Sequence, residues 1–372
     1  MSFRQKYVAF LHRKPTGLRE ELIWMMLKGL AHVYQGLWWV RRLAYRLRIL
    51  SRRRLSCPVV SVGNITTGGT GKTPIVIHLA AHFISEGLRV AVLSRGYGGK
   101  RDQGKPLWVS DGQKLLAGPR EAGDEPVLIA RKVPKAAVVV CPNRILAGQA
   151  VIRRFKPDLI ILDDGFQRRY TTHRDLDLVV IDGIQPFSTG RVLPAGLLRE
   201  PLDALADAGV FILNKADLAR SVEDIRTQLA RWNPRAPVIE SVYRVTGLRD
   251  LLTGRKVKPS LLDGVPVGIL AGIGNPLSFV RTLAQSNIVV RHAYTLDDHF
   301  AYNRESLKGI VDDAKARGLL YLVTTEKDEV KLPKSLAEEI PVLVQEIEWV
   351  VTEGMKHWET ILKSLQLSGG KD

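Results

Sequence analysis

The chain has 372 residues, enough for two domains that each bury a core, and its 45% apolar and 25% charged content is that of an ordinary globular protein. Two cysteines, Cys57 and Cys141, exclude a disulfide framework and a cluster of thiol metal ligands. The net charge of +17 is not ordinary and points to anionic partners: nucleic acid, acidic lipid or a phosphorylated substrate.

No cleavable secretory signal is expected, because the apolar stretch begins near Leu22 and runs into arginines rather than a small-residue cleavage site. From Glu21 to Arg46 the pattern predicts one long helix. Glu21, Lys28, His32, Gln35, Arg42 and Arg46 fall on a stripe roughly 80° wide, and the rest of the surface is apolar, with Trp24, Trp38 and Trp39 among it. Seven arginines lie from Arg41 to Arg54. A helix lying in the membrane interface accounts for stripe, tryptophans and arginines together. A spanning helix would place Lys28, His32 and Gln35 near the bilayer centre, and a buried core helix would have an unusually wide apolar face. The arginines predict the cytoplasmic face.

The strand-like run Pro58–Gly63 leads into Thr66-Thr67-Gly68-Gly69-Thr70-Gly71-Lys72-Thr73-Pro74 and then an apolar-periodic helix from about Ile75 to Glu86. Strand, glycine-rich turn and helix form the context of a phosphate-binding loop: glycines let backbone N–H groups face the phosphates, and the helix N-terminus adds partial positive charge. Thr67, Gly68, Gly69, Thr70, Gly71, Lys72 and Thr73 are the predicted nucleotide contacts, with Lys72 on the outer phosphates and the Thr73 hydroxyl on Mg²⁺. Thr66 replaces the first glycine of the strict pattern. A tight turn alone would explain the glycines but not the Lys-Thr pair.

Further strands are predicted at Arg89–Ser94, Ala136–Cys141, Asp158–Leu162, Asp177–Ile181 and Gly209–Leu213, short and almost wholly apolar as in parallel strands covered on both faces. The fold expected is α/β, a doubly wound, mostly parallel sheet of the P-loop NTPase kind, with its ligand at the carboxyl ends of the strands. A second set of strands, near Val265–Ala271, Asn287–Ala293, Leu319–Thr324 and Pro341–Gln345, predicts a smaller C-terminal α/β domain. The organisation expected is a membrane helix with its basic flank (1–55), a phosphate-loop core (56–240) and a C-terminal domain closing over the site (241–372), with the boundary in the polar stretch Pro234–Arg255.

Several motifs carry chemistry. Asp124-Glu125-Pro126 reads as a helix start with an acidic cap and an early proline, or as a carboxylate near the phosphates serving as general base; spacing favours the cap. Asp163 and Asp164 end an apolar strand, where a P-loop enzyme holds Mg²⁺; an acidic turn is the plainer alternative. Arg191 and Arg199 lie in the Gly- and Pro-punctuated loop Gly190–Pro201, which suits a bidentate grip on phosphate. Asn214-Lys215-Ala216-Asp217 matches the N-K-x-D pattern that reads guanine in GTP-binding switches, or is a strand-end turn touching the neighbouring loop. His299, in Asp297-Asp298-His299, is a proton relay or a surface residue.

Val62–Pro74, Ser94–Gly98, Gly123–Pro126, Asp163–Gln167, Arg174–Asp177, Leu193–Gly196, Arg199–Pro201, Asp298–His299 and Thr325–Asp328 together resemble the tetraacyldisaccharide 4′-kinase family, the lipid A kinases of Gram-negative bacteria. The resemblance covers most of the chain in the family's order. It implies transfer of the ATP γ-phosphoryl group to the 4′-hydroxyl of a tetraacylated glucosamine disaccharide 1-phosphate, giving lipid IVA at the cytoplasmic face of the inner membrane. It further implies that Asp124 and His299 activate the hydroxyl, that Asp163 and Asp164 support Mg²⁺, and that Asn64, Arg144, Gln167, Arg191 and Arg199 contact substrate. Arg168 and Phe300 depart from the family's usual His at both places. The expected partners are the lipid A disaccharide 1-phosphate and anionic inner-membrane lipid, with no obligate protein partner. The chief rival is a membrane-associated GTPase switch. A nucleic-acid-dependent ATPase is disfavoured because no interleaved aromatic-basic tract appears.

Overall fold

The structure is a computed structural model that describes residues 3–13, 15–96, 99, 104–168, 170–273, 276–296 and 302–369. Its first half runs α1 (Phe3–His12), α2 (Leu18–Arg46), β1 (Val59–Gly63), α3 (Lys72–Ser85), β2 (Val90–Ser94), β3 (Leu107–Asp111), α4 (Pro119–Ala122), α5 (Asp124–Lys132), β4 (Ala137–Val140) and α6 (Arg144–Arg154). There follow β5 (Leu159–Asp163), β6 (Leu176–Asp182), β7 (Val210–Asn214), α7 (Val222–Trp232) and β8 (Val238–Asp250). The remainder is β9 (Lys256–Val257), β10 (Val267–Ala271), α8 (Pro276–Ala284), β11 (Val290–Thr295), α9 (Arg304–Ala316), β12 (Tyr321–Thr325), α10 (Glu326–Glu329), α11 (Leu336–Glu339), β13 (Val342–Glu353) and α12 (Met355–Gly369).

Alternate residues of each central strand feed opposite cores, which is why these runs are apolar throughout. Val60 and Val62 of β1 pack with Ile75, Leu79 and Phe83 of α3 and with Trp358 of α12. Val59, Leu93 and Ile160 face the other way, onto Ile145 and Val151 of α6. Among the described residues one thirteen-stranded sheet results, ordered β11-β10-β12-β13-β8-β7-β6-β1-β5-β2-β4-β3, with β9 on β8. The doubly wound parallel core expected from the sequence is present, with β1 between β5 and β6.

The polar stretch expected to separate two domains is itself a strand. Val238 to Ser241 of β8 pair in parallel with β7, while Glu240 to Asp250 pair antiparallel with β13. The long β8–β13 ribbon therefore carries the sheet without a break from the core into the second half. There, Leu307 and Val311 of α9 and Phe279 and Leu283 of α8 cover opposite faces of β10 and β12.

Helix α2 docks by one edge only. Trp24, Ala31, Trp38 and Arg42 recur at near-heptad spacing and are buried against the body, the Arg42 guanidinium meeting Asp207 at 3.0 Å. The reading of α2 as a buried core helix fails, because Leu30, Val33, Leu37 and Val40 stand 50%, 61%, 65% and 67% exposed. Trp24 and Trp38, read from the sequence as part of the outward apolar surface, instead fill the seam beneath the helix. Among the described residues no helix is long and apolar enough to cross a membrane.

Candidate active site

The loop between β1 and α3 is held from inside by Asn64, which is fully buried. Its amide donates to the Thr66 carbonyl (3.0 Å), the Thr66 hydroxyl (3.2 Å) and the Thr70 hydroxyl (3.1 Å). Thr67 bonds the Leu197 carbonyl through both its backbone N–H (2.7 Å) and its hydroxyl (3.1 Å), which lays the Gly190–Pro201 loop along the phosphate loop. Gly68 and Gly71 take φ of +115° and +81°, values costly for residues with a Cβ, and no side chain caps the start of α3. The first-turn amides of α3, where Lys72 and Thr73 lie, are thus left for a ligand.

Four predicted residues converge at this helix end. The Lys72 ammonium lies 3.3 Å from Asp164 Oδ1 and 3.3 Å from Asn64 Oδ1. Arg199 grips Asp164 bidentately, 2.8 Å on each arm, donates to the Thr66 carbonyl at 3.0 Å, and also bonds Asn64 Oδ1. Asp164 reaches both cations because its backbone is left-handed, φ +53°. Burial opposes its charge, but Lys72 and Arg199 outweigh burial and hold its carboxyl far below the usual range.

Asp163, at the end of β5, differs from its neighbour. Its Oδ2 accepts from Ser94 Oγ at 2.8 Å, while its buried Oδ1 has no partner among the described residues. Burial, then the Glu125 and Asp164 carboxylates, push this carboxyl up to about 6. A divalent cation beside Oδ1 would supply the missing charge, so the residues fit Mg²⁺. Among the described residues no group of three acidic, His or Cys side chains is set to hold a metal alone.

Folding holds the Asp163 proton more tightly than the unfolded chain does. Its stabilising contribution is therefore full below the ordinary 3.8 and is lost as pH rises through about 6. Asp163→Asn is expected to raise the metal-free melting temperature near pH 8 by a few degrees, roughly what relief of a buried charge gives in a chain of this size. Melting in a chelator checks it, and a lower temperature than wild type would contradict the assignment.

Other predicted residues sit at varying distance from this cluster. Gln167 donates to the Asn64 carbonyl at 2.7 Å and so lines the same loop. Arg144 starts α6 behind the Asn143 cap and lies under the site, donating to the carbonyls of Cys141 (2.6 Å) and Asp163 (3.1 Å). Arg191 is turned away towards α2, its guanidinium 5.5 Å from the centre of the Trp24 ring.

Asp124 and Glu125 form the first turn of α5, so the motif starts a helix as expected, but the cap is Gly123 and not the acidic residue. Both are met from the second half of the chain. Lys331 Nζ lies 3.2 Å from Asp124 Oδ2, and Lys327 Nζ bonds Glu125 Oε1 at 2.8 Å while standing 4.0 Å from Asp124. Burial alone would raise the Asp124 carboxyl, but Lys327 and Lys331 pull it below its ordinary value. Sequence reasoning missed these lysines as partners, although Thr325–Asp328 had stood out as a motif. His299 lies outside the described residues. Tyr302, just beyond it, donates to Asp328 Oδ1 at 3.2 Å.

Asn214 ends β7 and Lys215 follows it, both buried against the phosphate loop, and Asp217 accepts from Gln285 at 3.0 Å. The plainer reading of this motif, a strand-end turn contacting its neighbouring loop, is the one the geometry bears out.

The sequence pattern of the tetraacyldisaccharide-1-P 4′-kinase family matches residues 23–366. This chain belongs to that family. It is 36% identical to the tetraacyldisaccharide 4′-kinase of Halothermothrix orenii over 331 residues, 86% of each chain. With the enzyme of that name from Chlorobium phaeovibrioides it shares 36% over 368 residues, 95% of this chain and 99% of the other. A crystal structure of an "apo" form of LpxK from Aquifex aeolicus in complex with ATP superposes with a TM-score of 0.71 at 28% identity, covering 92% of this chain and 99% of that one. The kinase reading thus stands over the GTPase switch that Asn214-Lys215-Ala216-Asp217 had suggested.

Proposed function

We propose that this kinase transfers the γ-phosphoryl group of ATP to the 4′-hydroxyl of a tetraacyldisaccharide 1-phosphate, giving lipid IVA. The observation that carries the reading is the meeting of Lys72 and Arg199 on both Asp164 and Asn64 Oδ1, beside the orphan oxygen of Asp163, at an uncapped helix start. Thr67 to Thr73 cradle the triphosphate, and Lys72 draws charge from its outer end. Thr73, Asp163 and Asp164 would hold Mg²⁺, which when bound neutralises phosphate charge. Asp124, ionised by its lysine neighbours, accepts the proton of the sugar hydroxyl, with His299 orienting or tuning it. Of the residues expected to bind the acceptor, Gln167 and Arg199 line the site, while Asn64 and Arg144 brace it from beneath and Arg191 faces α2. Residues 56–240 and 241–372 close over the substrate and exclude water. Labelled ATP, Mg²⁺ and the disaccharide 1-phosphate in detergent micelles should yield a doubly phosphorylated lipid. Label appearing only as free phosphate would refute the assignment.

The exposed apolar side of α2 and the arginines that follow it support a peripheral, monotopic seat on the cytoplasmic face of the inner membrane, in contact with anionic lipid. The acyl chains of the substrate stay in the bilayer, and neither nucleic acid nor an obligate protein partner is required. A Leu30→Glu, Val33→Glu double variant should bind anionic vesicles at least about tenfold more weakly, since two half-exposed apolar side chains leave the lipid. Its activity on micellar substrate should be kept. Undiminished vesicle flotation would remove α2 from the membrane contact.

A further inference from the structure

A phosphate loop works only if its peptide N–H groups face the nucleotide. In a trans peptide the carbonyl and the following N–H point opposite ways, so the direction of one sets the other. Three consecutive carbonyls of this loop are met from behind by side chains. Lys215 Nζ lies 3.4 Å from the Gly69 carbonyl, Asn214 Nδ2 donates to the Thr70 carbonyl at 2.9 Å, and Tyr243 Oη donates to the Gly71 carbonyl at 3.0 Å.

The set is closed among its own members. Asn214 gives its second amide hydrogen to Tyr243 Oη (2.7 Å) and accepts from Ser241 Oγ (3.3 Å), while Lys215 is anchored on Asp182 at 2.5 Å. Burial keeps the Tyr243 hydroxyl protonated, and so a donor. A Cβ at Gly71 would stand 2.5 Å from Asn214 Nδ2 and collide with Tyr243 Oη, so the packing is as tight as the bonding. Tyr243 comes from β8, opposite Trp349 of β13, so the brace rises from the ribbon that carries the sheet into the second half.

We propose that Asn214 and Tyr243 are positioning residues for the phosphoryl donor: by capping the Thr70 and Gly71 carbonyls they turn the Gly71 and Lys72 amides toward the nucleotide phosphates, while Lys215 steadies the Gly69 carbonyl, whose following Thr70 N–H is turned back onto the Gly68 carbonyl at 3.2 Å. The N-K-x-D residues here orient the phosphate loop and do not read a base. Without the caps these carbonyls are free to swing toward the triphosphate, whose charge they repel.

Tyr243→Phe removes one hydroxyl and keeps the ring. It should raise KM for ATP about three- to tenfold, the size of one neutral hydrogen bond, with KM for the lipid acceptor and the melting temperature near wild type. Asn214→Ala, which removes the Thr70 cap and the hydrogen bond that holds Tyr243 Oη, should raise it further. Asp217→Asn should leave the ratio of kcat/KM for ATP over GTP unchanged. The proposal is overturned if Tyr243→Phe melts earlier with an unaltered KM for ATP, the mark of a purely structural turn. It is equally overturned if Asp217→Asn shifts the ATP-to-GTP ratio tenfold or more, the mark of base recognition. Tyr243→Phe decides the matter alone should Asn214→Ala not fold.

Discussion

Asp124→Asn is expected to lower kcat by about 10²- to 10⁴-fold, the range supplied by a positioned general base, while leaving the affinity for ATP close to wild type. Asn keeps the shape and one oxygen for Lys331, and Glu125 still holds Lys327, so the first turn of α5 and its contact with α10 should survive. What is lost is the negative charge that accepts the proton. A structural role predicts a lowered melting temperature with turnover retained. A chemical one predicts normal melting, normal nucleotide binding and almost no product. Single-turnover measurements with pre-bound ATP separate the two, and turnover at the wild-type rate would reassign the base. Because the lysines hold Asp124 below its ordinary value, the acidic limb of the wild-type profile should fall below the range of a free carboxylate.

Lys72→Ala should reduce kcat by roughly 10²- to 10³-fold, the typical loss when one preorganised charge contact to a transition state is removed. Charge on the γ-phosphoryl oxygens and the bridging oxygen shifts during transfer, and Lys72 starts the helix that faces them. The fold should tolerate the change. Asp164 keeps both arms of Arg199, which continue to compensate its charge once Lys72 is gone. Unlike Tyr243→Phe, which acts on ATP binding through the backbone, Lys72→Ala should depress turnover even at saturating ATP. An unchanged rate would take the phosphate loop out of the chemistry.

The two variants also test how the site was legible. Lys72, Thr73 and the Asp163-Asp164 pair are placed by short contiguous segments: an apolar strand, a glycine-rich turn, a helix start. Their relative geometry follows from local backbone preferences, which sequence spacing reports directly. The lysines on Asp124 have no such signature. Lys327 is 202 positions from Glu125, and only the packing of α10 on α5 brings them together. Asn214-Lys215-Ala216-Asp217 shows the limit from the other side. The four residues are those of a guanine reader, yet the turn after β7 points Asn214 and Lys215 at loop carbonyls.

Helix α2 and strand β8 make the same division. The hydrophobic pattern revealed a helix with a wide apolar surface, but Trp24 and Met25 are equally apolar by composition. Complementarity with α1 and the Gly190–Asp207 segment decides that Trp24 and Trp38 dock while Met25, Leu30 and Val33 stay outside. The polar residues of Pro234–Arg255 carry no strong strand signal, because β8 is half-exposed along much of its length and gains its order from pairing with β13. By itself the sequence determined the family, the parallel core, the phosphate loop and the acidic strand end, all of which rest on neighbouring residues and local backbone chemistry. Which distant side chains orient the loop, ionise Asp124 and cover α2 was decided by tertiary structure, since contacts between far positions depend on shape and burial that no local pattern encodes.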